Sequence, residues 1–357
     1  MESYHSQLKK ILEITIQKGA SDLHLVAGYP PMIRINGAIL PIKGARTLTE
    51  EDSRELSFCL MNESQKERFL SQREIDFSFS FDEKARFRVN VFFQRGKVSA
   101  ALRLIPSRIL TIEELNLPPI LHYFAKAQQG FVLVCGPSSH GKSTTLAALI
   151  DEINHTRAEH IITIEDPIEY VFEPDKSIIE QREVLSDTIS FARALKSTFR
   201  QDPDIIMIGE MRDPETMATA ISAAETGHLV FATLHTNSAA QTIHRIVDSF
   251  PPEQQNQVRA QLSVSLLGIV SQRLLPRIKG GLIPACEIMI NTPATANLIR
   301  ENKIHEIGAV IETSSEMGMI SLNRSLADLV RRGEISLDTA LSYSLNPQEL
   351  KYLLKLI

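Results

Sequence analysis

An apolar run, Phe131-Val132-Leu133-Val134-Cys135, leads directly into Gly136-Pro137-Ser138-Ser139-His140-Gly141-Lys142-Ser143 and then into Thr144-Thr145-Leu146-Ala147-Ala148-Leu149-Ile150. Few folds accept that order, because a G-x-x-x-x-G-K-[ST] loop works only where a buried strand delivers it to the amino end of a helix. Such a loop aims successive backbone N–H groups at phosphate oxygens, and the helix dipole adds positive potential. The spacing therefore predicts a nucleoside triphosphate site built from Gly136, Pro137, Ser138, Ser139, His140, Gly141, Lys142, Ser143 and Thr144. Lys142 would reach the β- and γ-phosphates, and the Ser143 hydroxyl would hold Mg²⁺. Ser139 and His140 stand where many such loops carry glycine or small residues. The His140 ring either bonds a phosphate oxygen or faces solvent, and solvent is favoured because the backbone already supplies the donors.

The 357 residues exceed the size at which single cores stop growing, about 250–300 residues, so two domains are expected. A net charge of -5 offers no broad cationic field to nucleic acid. The polar start, Met1 to Gln7, lacks the apolar stretch of a signal peptide, and no run approaches the roughly 18 apolar residues of a membrane span, which predicts a cytoplasmic protein. Cys59, Cys135 and Cys286 form no C-x-x-C pair, which argues against a zinc module or a disulfide framework and for buried free thiols.

Apolar spacing predicts a short helix from Leu8 to Lys18, then strands at Leu23 to Val26 and Met32 to Ile35 with turns at Gly28-Tyr29-Pro30-Pro31 and Asn36-Gly37. A helical stretch from Glu50 to Leu70 follows, and the alternation in 75–81 and 86–92 gives two half-buried antiparallel strands. Residues 1–105 read as a small α+β domain, 106–119 as a linker, and 120–357 as an α/β domain with a parallel sheet. Its strands are expected at Phe131 to Cys135, His160 to Ile164, Ile205 to Ile208 and Leu229 to Thr233. Asp213-Pro214-Glu215 signals a helix start, with Asp213 as the cap. The final third reads as helical, with Leu322 to Arg332 and a last helix opened by Asn346-Pro347 whose apolar face includes Leu350, Leu353, Leu354 and Ile357.

Two acidic clusters follow apolar strands, which puts them at the carboxyl edge of the sheet beside the phosphate loop. One is Ile162-Thr163-Ile164-Glu165-Asp166-Pro167-Ile168-Glu169, and the other ends in Gly209-Glu210-Met211-Arg212-Asp213. Phosphoryl transfer needs a carboxylate near Mg²⁺ and a group to orient the attacking water. Glu210 ends its strand where a Walker B acid belongs, although Gly209 occupies a position at which many ATPases keep an Asp. Either Glu210 serves the Mg²⁺ shell while Glu165 polarises water, which is favoured, or Glu210 does both. In a third segment, Thr226 to Ser238, His228 and His235 stand at the two ends of an apolar strand. A ring beside phosphate would act as a γ-phosphate sensor; the alternative is a structural hydrogen-bonder.

Taken together these segments resemble the secretion ATPase superfamily, and more closely the type IV pilus retraction ATPases of the PilT family. Gly19-Ala20-Ser21-Asp22-Leu23-His24-Leu25 and Pro30-Pro31-Met32-Ile33-Arg34 are similar to that family's N-terminal domain, so the resemblance spans nearly the whole chain. Ala294-Thr295-Ala296-Asn297-Leu298-Ile299 is similar to the family's A-I-R-N-L-I segment, tied to retraction, with Thr295 and Ala296 departing from it. The phosphate loop departs too, with Ser139 and His140 in place of the usual Gly and Ser.

The resemblance implies a RecA-like P-loop ATPase domain preceded by a small PAS-like α+β domain and followed by a helical C-terminal region. It implies a homohexameric ring that hydrolyses ATP with Mg²⁺ and powers pilus retraction through an inner-membrane platform protein. The motor would sit at the cytoplasmic face of the inner membrane, attached through partners only and binding no nucleic acid. Arginines of the N-terminal domain would reach the phosphates of a neighbouring subunit, with Arg86, Arg88 and Arg103 as candidates and an ordinary exposed strand face as the alternative. Three rival readings remain. An accessory ring would bind ATP with little turnover. An assembly or type II secretion ATPase typically carries a longer N-terminal region and a four-cysteine zinc motif, neither of which is read here. A nucleic-acid translocase is opposed by the acidic balance.

Overall fold

The computed structural model describes residues 3–35, 37–82, 85–105 and 108–356. Asn36 of the expected turn, residues 106 and 107 of the expected linker and Ile357 of the last helix lie outside the described residues. The chain divides into two compact units, one of Met1–Arg108 with Asp166–Val171, the other of Ile109–Glu165 with Phe172–Ile357.

In the first unit the strands are β1 (Asp22–Val26), β2 (Met32–Ile35), β3 (Ala38–Pro41), β4 (Glu74–Phe81), β5 (Ala85–Gln94) and β6 (Lys97–Ile105). They form one sheet in the order β3-β2-β1-β6-β5-β4, with antiparallel neighbours throughout. Alternation in β5 sends Phe87, Val89 and Val91 into a core shared with Leu8 and Leu12 of the helix Tyr4–Gln17. The stretch expected as one helix is two, Glu50–Phe58 and Glu63–Gln72. Asn62 and Gln65 explain the break: each side chain accepts the other's backbone N–H in a capping box, so a new helix starts there. Strand β6 escapes the alternation rule because Val98, Ser99 and Ala100 are buried in succession.

In the second unit the strands are β7 (Gly130–Cys135), β8 (His160–Glu165), β9 (Ile178–Glu183), β10 (Ile205–Ile208), β11 (Leu229–Leu234), β12 (Leu266–Pro276) and β13 (Leu282–Ile290). The sheet order is β13-β12-β7-β11-β10-β8-β9, parallel except for the β12–β13 hairpin. The helical reading of the final third is corrected here, since that hairpin precedes the helices. Its apolar runs are buried on both faces, a pattern without the period that separates strand from helix. Asp213 does cap Pro214–Glu225, its Oδ1 accepting the Thr216 N–H at 2.8 Å. In the helix Pro293–Arg300, Thr295 is fully buried and completes a capping box with Thr292, a role that suits Thr at this departure from the resembled segment. The last helix, Pro347–Leu353, docks through buried Leu350.

Because β7, β8, β10 and β11 run parallel and side by side, the loops that follow them emerge at one edge, where a ligand site belongs. Helix Leu121–Lys126 packs behind this sheet, and its Phe124 fills the space beside Gly268 of β12. A Cβ at Gly268 would lie 2.6 Å from the Phe124 ring and 2.8 Å from the Met289 carbonyl oxygen. Gly268→Ala should therefore destabilise the protein by about 1–3 kcal/mol, read as a lowered melting temperature with unchanged secondary structure.

On the same helix, His122 Nδ1 lies 2.8 Å from Glu152 and Nε2 2.8 Å from Glu113. Carboxylates only accept, so satisfying both requires an imidazolium. The hydrogen bond to Glu152, aided by the charges of both carboxylates and opposed by burial, raises the His122 pKa. A raised folded pKa adds stability that is complete below the unfolded value, about 6.5, and disappears as pH rises through the folded one. Urea melts should show His122→Gln costing more at pH 6 than at pH 9; equal costs at both would contradict this ion pairing.

Candidate active site

The phosphate loop runs from β7 into the helix Lys142–Thr156, whose amino end carries no side-chain cap and so presents its first N–H groups to the loop. Two glycines are required by the close approach of β12. At Gly136, with φ +150°, a Cβ would lie 2.4 Å from the Gln272 carbonyl oxygen; at Gly141, with φ +79°, it would lie 2.9 Å from Gln272 Nε2. Ser139 takes φ +64°, an uncommon conformation for a residue other than glycine. Ser143 is exposed on the first helical turn, and Thr144 is half-buried beside it.

Lys142 is 8% exposed, and its Nζ donates to the carbonyls of Gly136 at 3.0 Å and Pro137 at 2.9 Å. It also lies 3.3 Å from His235 Nδ1, and an ammonium can only donate, so Nδ1 is the acceptor and Nε2 carries the proton. His235 Nε2 faces Glu210 Oε1 at 3.2 Å, and the other Glu210 oxygen accepts from Arg212 Nε at 2.8 Å. The structure thus joins Lys142, His235, Glu210 and Arg212 in one polar chain beside the loop. Burial first, then the Lys142 charge, pushes the His235 pKa below its ordinary value despite Glu210, which keeps the ring neutral at pH 7.

Glu165 ends β8 as a buried carboxylate that accepts from Thr163 Oγ1 at 2.7 Å and from Gln181 Nε2 of β9 at 3.1 Å. Gly209, which stands where many ATPases keep an Asp, lies close to this strand: its N–H bonds the Ile164 carbonyl at 2.8 Å, and a Cβ there would lie 3.2 Å from that same oxygen.

The His140 ring is half-buried, which corrects the solvent-facing reading: its Nδ1 accepts the Leu274 backbone N–H at 2.8 Å, and its ring meets Tyr343 edge-on. Phosphate sensing by His228 within its own chain is also corrected, because the ring sits at the amino end of β11 with Nδ1 3.0 Å from the Ala223 carbonyl oxygen. β11 runs beside β7 from Leu229 opposite Gly130 to Leu234 opposite Cys135, so His228 is a strand length, about 20 Å, from the loop. The candidate arginines lie in the first unit. Arg103 Nε pairs with Asp22 at 3.1 Å, Arg88 with Glu169 at 3.4 Å, and Arg86 donates to Ser78 Oγ at 2.6 Å and to the Ile168 carbonyl at 3.3 Å.

Sequence reasoning missed Gln272 and Arg273. Gln272 accepts from Thr145 Oγ1 at 2.7 Å and donates to the His140 carbonyl at 2.8 Å; Arg273 Nη2 donates to Asn237 Oδ1 at 2.9 Å. The signal was present, since Ser271-Gln272-Arg273 interrupts the otherwise apolar β12 and a buried polar side chain needs a partner.

The arrangement fits a triphosphate with its cation. Backbone donors and Lys142 suit phosphate oxygens, and the Ser143 hydroxyl and Glu210 carboxylate are hard oxygen donors of the kind Mg²⁺ takes. In metal-free buffer, NMR titration should place the His235 pKa below about 6.5. Lys142→Ala should raise it and Glu210→Gln should lower it further, because one substitution removes a cation and the other an anion; shifts of the opposite sign would break the proposed chain of contacts.

Residues 2–319 match the family described as type II/IV secretion system protein. The chain is 48% identical to the type IV pilus retraction ATPase PilT of Pseudomonas aeruginosa, covering 93% of this chain and 96% of the relative. It is 46% identical to the twitching motility protein of Neisseria gonorrhoeae over 92% of this chain and 87% of that one. The crystal structure of the pilus retraction motor PilT with bound ADP superposes with a TM-score of 0.90 at 48% identity, covering 96% and 98% of the two chains. The parallel sheet with its phosphate loop is accordingly a RecA-like domain with a helical C-terminal region, and the chain belongs to the type II/IV secretion system protein family.

Proposed function

We propose that this chain is a Mg²⁺-dependent ATPase whose homohexamer drives type IV pilus retraction, and with it twitching motility. The observation that carries the reading is the polar chain from Lys142 through His235 to Glu210 beside the phosphate loop. The pilus assignment is supported by the relatives, whose names specify retraction and twitching motility. Among the described residues no helix is long and apolar enough to cross a membrane. In this reading the ring works at the cytoplasmic face of the inner membrane and engages an inner-membrane platform protein.

Lys142 and the loop N–H groups would hold the phosphates, and Ser143 with Glu210 would hold Mg²⁺. The cation would supply charge neutralisation at the transferring phosphoryl group. Glu165, fixed by Thr163 and Gln181, would polarise the attacking water. His235 would register the γ-phosphate, because its position between Lys142 and Glu210 makes its hydrogen bonding sensitive to added negative charge. Arg86, Arg88 and Arg103 would act on a neighbouring subunit's nucleotide, with Arg88 and Arg103 exchanging their carboxylate partners for phosphate oxygens.

Steady-state Mg²⁺-ATPase assays with oligomeric mass measured in the same buffer test this. Wild-type rings should turn over, and Lys142→Ala and Glu210→Gln should each lower turnover by about 100-fold or more. Rings that bind ATP without hydrolysing it would instead indicate an accessory component, and a Glu210→Gln protein as fast as wild type would remove that residue from the chemistry.

A further inference from the structure

We propose that Gln272 and Arg273 are positioning residues with separate tasks: Gln272 sets the phosphate loop for nucleotide binding, and Arg273 sets the His235 loop for turnover. The inference rests on the ATPase reading and extends it to residues that touch no phosphate themselves. Neighbours on a strand project to opposite faces, so β12 reaches two different loops through adjacent side chains.

The Gln272 amide is used at both ends. Its oxygen takes the hydroxyl of Thr145 in the first turn of the phosphate-loop helix, and its nitrogen donates to the carbonyl of His140 at the loop's last bend. One planar amide thereby fixes the spacing between the loop and the helix that follows. Glutamate has nearly the same shape but, when ionised, cannot donate to a carbonyl. Gln272→Glu consequently breaks the loop contact while keeping the packing.

Arg273 is 6% exposed, and its Nη2 donates to both the side-chain and main-chain oxygens of Asn237, at 2.9 and 3.3 Å. Asn237 lies two residues beyond His235, and the intervening Thr236 is held by Thr242 at 2.6 Å. The Asn237 N–H is taken by Gln241, and Ser238 caps the helix Ala239–Asp248. Arg273 holds this loop from the sheet, as the Glu287 carboxylate of β13 does where it accepts the Ala239 N–H at 2.7 Å. Burying a guanidinium is costly, and an apolar side chain would fill the strand face without that cost. Both contacts to Asn237 come from the single nitrogen Nη2, which stands one bond farther from Cα than a lysine Nζ would, so lysine is too short to make them.

Three readouts on Gln272→Glu and Arg273→Lys test the division: the Kd for a fluorescent ADP analogue, kcat against KM for ATP, and the position of the His235 ring resonance. Gln272→Glu should weaken ADP binding by about tenfold and raise KM, leaving kcat within a few-fold and the His235 resonance in place. Arg273→Lys should lower kcat by about tenfold and move the His235 resonance, leaving ADP binding within about twofold. Thr145→Val and Asn237→Ala, which remove the partners instead, should repeat the respective patterns and replace either variant that fails to fold. If both classes shift the same parameters together, the division of tasks is wrong. Should wild type bind ADP but not turn over, the ATPase reading fails by itself, and the inference is then decided by ADP binding in Gln272→Glu and by the His235 resonance in Arg273→Lys; no change in either overturns it.

Discussion

The approach of β12 to the phosphate loop is the contact on which the rest of the site depends. The Gln272 carbonyl oxygen comes so near Gly136 that a single methyl group there has no room, and the Gln272 side chain makes a similar demand at Gly141. The two glycines of the motif therefore answer to a strand that begins about 130 residues later in the chain, as well as to any phosphate. With the loop wrapped this tightly, Lys142 lies among carbonyl oxygens and emerges at His235, which fixes where the next charged groups must stand.

The groups there follow one another in contact: ammonium, neutral imidazole, carboxylate, guanidinium. A neutral imidazole between Lys142 and Glu210 accepts on one side and donates on the other, so both ions are bonded without being brought into direct contact. Partial burial and the lysine charge keep the ring in that state, whereas His122, with a carboxylate at each nitrogen, is driven the other way. The same side chain thus serves as a neutral relay in one place and a cation in the other, according to what faces its two nitrogens.

How much of this was legible in the sequence varies with the physical signal. The phosphate loop, the strands β7, β8, β10 and β11, and the cap at Asp213 were readable because each is specified by residues close together in the chain. Glu210 and His235 were readable as candidates since parallel strands deliver their ends to one edge. The hairpin β12–β13 was not, because a run buried on both faces has no period, and the break at Asn62 was hidden within a stretch of helix-forming residues. His228 was misplaced for a topological reason: a strand has two ends, and only its carboxyl end reaches the site. Gln272 and Arg273 needed the sheet order, which sets β12 beside β7 and which no local pattern encodes.

His140 shows how a departure from the usual loop residues is absorbed. β7 ends at Cys135, opposite Ser271, but β12 continues to Pro276, so beyond that point β12 has lost its parallel neighbour. A backbone N–H left unpaired at such a place is costly unless something else accepts it. The Leu274 N–H is accepted by the His140 ring, which stands where the next residue of a neighbouring strand would have stood, while the His140 carbonyl takes the Gln272 amide. A glycine or serine at position 140 could keep the second contact but would have no ring nitrogen for the first. The bulky side chain in this loop is best understood as a local extension of the sheet, joining the phosphate loop to β12 and, through Tyr343, to the C-terminal helices.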